Sequence, residues 1–340
     1  MTMNKTIVCF GEVLLRLSAP GKQLLLQSPG FDAHVGGAEA NVAVSLSRLG
    51  HRTAVVTALP DTSLGHACSA ELRRHSVDLS GVRYREGRMG MYFLTHGAGH
   101  RPAEVLYDRE YSSFATAPAD LFDWPTLLAD AAWLHVSGIT PAVSTSGADA
   151  ALRAVTAARR AGVKVSFDCN FRARVWGSRT PEAPALLAQL CGYADLILGD
   201  DRDIAFMLGF DSASTSGTER QRLAGKVAFD RFASLQWIAC TARTRHSVDV
   251  QEISGVLQSR SDVFVTPAYP LHGIVDRIGA GDAYAAGILH GLISGMDPKD
   301  TVRFATAAAC LKHSIPGDFN LASATDIELV LSEQRTDVRR

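Results

Sequence analysis

The sequence predicts an α/β protein: a mainly parallel sheet with helices on both faces, forming a three-layer core, and a small β-sheet set beside it. Three observations carry that prediction. Short apolar, β-rich runs alternate with helical patterns along most of the chain, and such alternation builds parallel sheets through crossover connections. Several of the runs are apolar throughout, as in strands covered on both faces. The alternation breaks near 13–35 and again near 89–110, where more polar extended segments take over. A length of 340 residues admits one large domain or two smaller ones. The two breaks read as insertions into a single domain spanning 1–340.

Thr6 to Phe10 is the first strand, ending at Gly11-Glu12. Val13 to Leu17 and Leu24 to Leu26 follow as extended pieces, punctuated by the turn signals Pro20-Gly21 and Pro29-Gly30. Gly36-Gly37-Ala38-Glu39-Ala40-Asn41-Val42-Ala43 opens a helix that Gly50 stops. A strand from Ala54 to Ala58, a helix from about Leu64 to His75 and a strand near Val82 to Tyr84 continue the pattern. Gly90 to Thr95 and Glu104 to Tyr107 read as a hairpin around Gly97-Ala98-Gly99, and pair with the 13–35 region in the small sheet. Alternation resumes with a strand at Trp133 to Val136, a helix at Gly147 to Ala161 and a strand at Val163 to Phe167. Next come a helix around Ala183 to Cys191, a strand at Leu196 to Leu198 and a short helix to Leu208. Gln236 to Thr241 is a core strand, Ser247 to Leu257 reads as strands near an edge, and helices from Gly281, Lys299 and Thr325 complete the chain.

Composition narrows the class. Hydrophobic content of 46% and charged content of 20% describe a globular chain with ample core. A formal net charge of -1 offers nothing to nucleic acid or an anionic membrane surface. The six cysteines lie far apart without a C-x-x-C pair, so reduced, buried thiols in a cytosolic protein are expected. Glu12 and Arg16 interrupt the first apolar run, against a signal peptide, and no stretch reaches the roughly 18 apolar residues of a membrane helix. A cytoplasmic location is expected.

The chemistry concentrates at Asp276-Arg277-Ile278-Gly279-Ala280-Gly281-Asp282. Gly279 and Gly281 permit a tight turn into a helix whose free N–H groups make an anion site, and phosphate is the usual guest. Asp282 then stands beside that cradle as a base, the pairing a phosphoryl-transfer enzyme needs. The competing reading is a glycine loop with a capping aspartate. Asp168-Cys169-Asn170-Phe171-Arg172 and Asp200-Asp201-Arg202-Asp203 follow predicted strands, where open parallel sheets bind ligands. Arg172 suits a phosphate or carboxylate clamp, against the alternative of a surface ion pair. Asp200 and Asp203 suit Mg²⁺ or its waters, against the alternative of helix capping. Tyr92, Tyr107, Asp108 and Arg109 suit a sugar acid, against a solvated strand face with aromatic pairing. Gly37 allows close backbone approach, and Asn41 lies one turn further on the same helix face. There is no Walker A sequence, no G-x-G-x-x-G at the glycine turn because Tyr284 holds its third position, no H-E-x-x-H and no G-x-S-x-G.

These residues resemble the ribokinase-like (PfkB) carbohydrate kinases. Gly36 to Ala43 is similar to the family's N-terminal glycine signature, and Asp276 to Gly287 to its C-terminal one. Within the family the chain is most similar to 2-keto-3-deoxygluconate kinases, through Tyr107-Asp108-Arg109, Ser112-Ser113-Phe114-Ala115, the 168–172 segment with Trp176, and Lys312 to Asn320. The resemblance implies a ribokinase-like α/β core with a β-sheet lid, a sugar-acid substrate phosphorylated at its terminal primary hydroxyl, ATP and Mg²⁺, with K⁺ as a further candidate cation; a kinase of another ketose or pentose and a non-catalytic sugar-sensing protein are the alternatives. It implies catalysis by Asp282 with the Gly279-Ala280-Gly281 turn. It places Gly37, Asn41, Tyr92, Tyr107, Arg109 and Arg172 around the substrate, and Asp200, Thr241, Arg243, Gly279, Gly281 and Lys312 around the nucleotide. Self-association through the lid is a further expectation. Two departures stand out: Thr241-Ala242-Arg243-Thr244-Arg245-His246 replaces the family's T-x-G-x-x-G, and Asp203 stands where its N-x-x-E motif has glutamate.

Overall fold

The computed structural model describes residues 5–210 and 217–332. The chain opens with β1 (Thr6–Phe10), β2 (Leu14–Ser18), β3 (Asp32–Gly36), α1 (Ala38–Arg48), β4 (Thr53–Pro60), α2 (Ser63–Arg74), β5 (Val82–Arg85), β6 (Gly90–Thr95) and β7 (Glu104–Asp108). It continues through α3 (Trp124–Leu127), β8 (Ala131–Ser137), α4 (Ile139–Val143), α5 (Thr145–Arg160), β9 (Lys164–Asp168), α6 (Ala173–Trp176), α7 (Ala183–Cys191), β10 (Leu196–Leu198), α8 (Asp201–Leu208) and α9 (Gly217–Arg231). The remainder is β11 (Trp237–Arg245), β12 (Val250–Gln258), β13 (Val263–Val265), β14 (Tyr269–His272), α10 (Ala280–Ser294), α11 (Pro298–Lys312) and α12 (Ala324–Leu331).

The large sheet has the order β13-β12-β11-β10-β9-β8-β1-β4-β5, with β14 also on β12. It is parallel from β5 to β11 and antiparallel beyond. The period-2 geometry of a strand splits β1 between two cores. Val8 and Phe10 join α5 and α7 on one face, while Ile7 and Cys9 join α1, α10 and α11 on the other. All four are at most 1% exposed, which is why the run carries no polar alternation.

A second sheet has the order β3-β2-β6-β7, with β2 parallel to β6 and its other pairs antiparallel. Its inner face packs Leu14, Tyr92 and Leu94 with Tyr107 and Ile278. Ile278 belongs to the loop before α10, so the small sheet leans on the glycine turn itself.

Two sequence expectations change. Leu24 to Leu26 is a turn, with Leu26 at φ 65° and 84% exposed, because neither pleated face has a neighbour to cover it. The helix α9 has no counterpart in the sequence reading. Its buried stripe includes Ala224, Gly225 and Ala228, residues too small to print an apolar period. Four of the six cysteines are buried thiols and none is in a disulfide. Among the described residues no helix is long and apolar enough to cross a membrane.

Gly287 brings α10 against α11, because a Cβ there would press on the Ala305 backbone. Alanine is favoured over glycine in helices by about 1 kcal/mol, whereas overpacking costs about 1–3 kcal/mol. Gly287→Ala should therefore lower the melting temperature, measured by calorimetry, in spite of its better helix propensity.

Candidate active site

The turn before α10 is built so that only glycine serves at its head. Gly279 sits at φ 79°, and a Cβ there would collide with the Asp318 carbonyl oxygen. Gly281 faces open space. No side chain caps α10, and no described residue accepts from the N–H groups of Gly281 or Asp282. The positive end of a helix dipole thus points into solvent-accessible space with its donors free, which is an anion cradle.

Asp282 lies in the first turn of α10, part-buried at the floor of the cleft. Asn41 Nδ2 donates to its Oδ2 at 2.7 Å, which orients the carboxylate and leaves Oδ1 for another partner. Burial raises its pKa to about 7; the Asn41 hydrogen bond and Arg172 oppose this, while Asp318 and Glu39 add to it. A carboxylate tuned to that value accepts a proton near neutral pH far better than an ordinary aspartate.

A cleft of 1290 Å³ runs over this floor, along the carboxyl ends of the strands and under the second sheet. It gathers Gly37, Asn41, Tyr92, Tyr107, Arg109, Arg172, Asp200, Asp203, Thr241, Arg243, Gly279, Gly281 and Asp282. Gly37 holds φ 134°, with no room for a Cβ beside the Glu12 carbonyl. Two expected site residues stay out. Ala280 is buried behind the turn. Lys312 is fully buried, lies against Gly279 from behind, and donates to the Ile315 carbonyl at 2.9 Å.

Four of the gathered residues are already tied to other groups of the chain. Arg109 donates from Nε at 2.8 Å and from Nη2 at 2.5 Å to Glu12 Oε2, so one edge of its fork is taken. Tyr92 donates to Asp318 Oδ2 at 2.5 Å. Asp200 and Asp203 form a reciprocal capping box at the start of α8, which realises the helix-capping alternative. Asp203 still rises to about 6, through burial and then the charge of Asp200.

Asp168, at the end of β9, is a site residue that the sequence reading left without a role. It lines the cleft, and burial followed by the charge of Asp282 lifts it to about 8. Its place after a strand was the available signal. Asn170 Oδ1 nearby is buried without a partner. This oxygen-only, mutually repelling set fits a hard divalent cation such as Mg²⁺. Among the described residues no three metal-binding side chains converge closely enough to hold an ion alone, which suits a cation shared with phosphate and water.

Arg16 was missed entirely. It is 1% exposed, and Nη2 meets Asp276 Oδ2 at 2.6 Å while Nη1 meets Asp318 Oδ1 at 3.1 Å. Burial would raise Asp276, but the Arg16 charge outweighs it and keeps that carboxyl below its usual value. Asp276 Oδ1 in turn accepts from Ile278 N–H at 3.0 Å, and its Oδ2 accepts from Gly317 N–H at 3.0 Å. A strand of the second sheet is thereby riveted to the two loops that shape the cradle, one before α10 and one after α11.

A parallel-sheet fold with an anion cradle and a neighbouring base is the framework of a phosphoryl-transferring kinase. The model of the pfkB family carbohydrate kinases matches residues 4–322, and the chain belongs to that family. It is 32% identical to a 2-dehydro-3-deoxygalactonokinase of Haloferax volcanii over 97% of both chains. A crystal structure of 2-dehydro-3-deoxygluconokinase from Thermotoga maritima shares 36% identity at a TM-score of 0.92, covering 96% of this chain and 99% of that one. A fructokinase with bound ATP from Xylella fastidiosa shares the fold at 22% identity and a TM-score of 0.79, covering 98% and 99%.

Arg16→Met should strand Asp276 and Asp318 in the interior, lowering stability by about 3–5 kcal/mol in urea unfolding. Asp282 should act oppositely. Its folded pKa lies above the unfolded one, so stability falls as pH rises through the window from about 4 to about 7. Asp282→Asn removes that penalty, and its melting temperature should exceed the wild-type value at pH 8 but not at pH 4.

Proposed function

We propose that this carbohydrate kinase transfers the γ-phosphoryl group of ATP to the terminal primary hydroxyl of a 2-keto-3-deoxy sugar acid, 2-keto-3-deoxygluconate foremost. The observation that carries the reading is Asp282. Its free Oδ1 and the open N–H groups of Gly281 and Asp282 face one cleft, whose wall also presents Arg172.

In this reading Asp282 accepts the hydroxyl proton as the oxygen attacks the γ-phosphorus in line and the bond to ADP breaks. General-base help of this kind is typically worth about 10² to 10⁴ in rate. Asn41 keeps the carboxylate aimed, and the Gly281 and Asp282 N–H groups receive the charge that grows on the moving phosphoryl oxygens. Arg172 takes the substrate carboxylate, because its guanidinium has no carboxylate partner among the described residues and donates only to the neighbouring Phe171 carbonyl at 3.2 Å. Tyr107 and the remaining edge of Arg109 orient the sugar from the second sheet. That sheet acts as the lid, and its closure keeps water from taking the phosphoryl group. Asp168, Asp200 and Asp203 would hold Mg²⁺, partly through water, and the ion supplies charge neutralisation along the phosphates. Self-association through the second sheet belongs to the same reading, with Leu106 of β7 exposed on it.

The galacto epimer is a second reading, favoured by the 32% identity to a deoxygalactonokinase. Assay against both epimers, fructose and ribose decides. A sugar acid should be the preferred substrate, and preference for a neutral ketose would overturn the assignment. Arg172→Ala should raise KM for the sugar acid about tenfold, with little change for any neutral ketose that is turned over. Asp282→Asn should bind ATP normally and lose at least about a hundredfold in turnover. In the wild type, kcat/KM should fall below about pH 7 as Asp282 gains its proton.

A further inference from the structure

The cleft extends past Asp282 toward the β10–β13 side of the large sheet, away from the second sheet. Arginines crowd this end. Arg202 and Arg220 are neutralised by Asp200 and Asp201. Arg243, Arg245 and Arg277 have no carboxylate partner among the described residues, although all three line the cleft. Arg243 Nη1 is held only by neutral acceptors, Gln251 Oε1 at 2.7 Å and His313 Nε2 at 3.1 Å. His313 Nδ1 donates to the Ala309 carbonyl at 2.6 Å, which fixes Nε2 as the acceptor. Arg277 Nε is buried and unpartnered. Burial, then the charges of Arg277 and Arg245, push Arg243 down to about 10, so the three guanidiniums repel one another.

Uncompensated like charges persist in a fold where an anion completes them. The side chains beyond them offer little else: Thr218, Gln221, Ser254, Val256 and Val265 line this end, and Tyr284 has its hydroxyl committed to the Val256 carbonyl at 2.9 Å. No described aromatic ring there presents a face for a base to stack on.

We infer that Arg243, Arg245 and Arg277 together grip the phosphate chain of the donor, and that the enzyme consequently discriminates poorly among purine bases. The inference rests on nucleotide-dependent phosphoryl transfer, but it deepens that reading by naming what the site recognises. Guanidinium forks bind phosphate oxygens through charge and planar geometry, so recognition at this end follows charge and not base shape.

Titration calorimetry of the full chain with MgATP, MgGTP and magnesium tripolyphosphate tests it without sugar or turnover. MgGTP should bind within about tenfold of MgATP, and tripolyphosphate should compete with both. Arg243→Gln and Arg277→Gln should each weaken ATP and GTP alike by about tenfold. Arg245→Gln, at an exposed position, should weaken both in the same proportion as each other and serves if a buried variant fails to fold. GTP more than tenfold weaker than ATP, or unchanged affinity in the folded variants, overturns the proposal. Failure of every nucleotide to bind would reject ATP as donor as well, whereas a wrong sugar assignment would leave these titrations untouched.

Discussion

The ion cluster around Arg16 is the constraint on which the rest of the site depends. A guanidinium with 1% exposure cannot shed its charge, so the fold must surround it with anions. Asp276 and Asp318 do so, and each is placed where its backbone shapes the cradle: Asp276 fixes Ile278 and Gly317, and the Asp318 carbonyl packs so tightly on Gly279 that a side chain is excluded. Tyr92 completes the cluster from β6. Two adjacent strands of the small sheet and two loops of the core thus share one buried charge system. A displacement of the sheet must be felt at the turn before α10.

That geometry also explains why the floor of the cleft is electrostatically tense. Asp282, Asp168 and Glu39 are drawn into one region, and burial lifts all three carboxyls. Glu39 is the structural member: it accepts from Ser137 N–H at 2.9 Å and Thr140 Oγ1 at 3.0 Å, and Gly11 has no Cβ because Glu39 occupies the space. The other two face the cleft. Holding poorly solvated carboxyls at the cleft floor costs stability, a common trade at active sites.

Much of the fold was legible because local pattern and tertiary demand agree in it. Apolar runs such as Thr53–Pro60 have nowhere to go but a covered sheet, and every residue of that strand is buried. The glycine turn and Asp282 were legible because their backbone geometry restricts residue choice. Pairings across long separations were not. Nothing in a linear string distinguishes an arginine that clamps substrate from Arg109, whose fork meets a glutamate 97 positions away. Arg16 went without a role for the same reason, since its partners lie 260 and more positions away. Asp200 and Asp203 show the converse limit, since the acidic spacing that suits a cation equally suits a capping box, and the structure uses it for the box. Lys312 was drawn to the nucleotide by its motif, yet the helix it ends turns its ammonium to the back of the turn.

The same long separations set an order of events during synthesis. Arg16 and Asp276 are 260 positions apart, and Tyr92 and Asp318 are 226 apart. On a ribosome the strands β2 and β6 emerge early, long before the carboxylates that neutralise Arg16 exist. Until the last part of the chain is released, the small sheet carries an arginine it cannot bury, so its docking has to wait. The docking of the small sheet over the cleft is therefore a late event, and a nascent chain that stops short of Asp318 has the large sheet without the counter-charges that seat the small one.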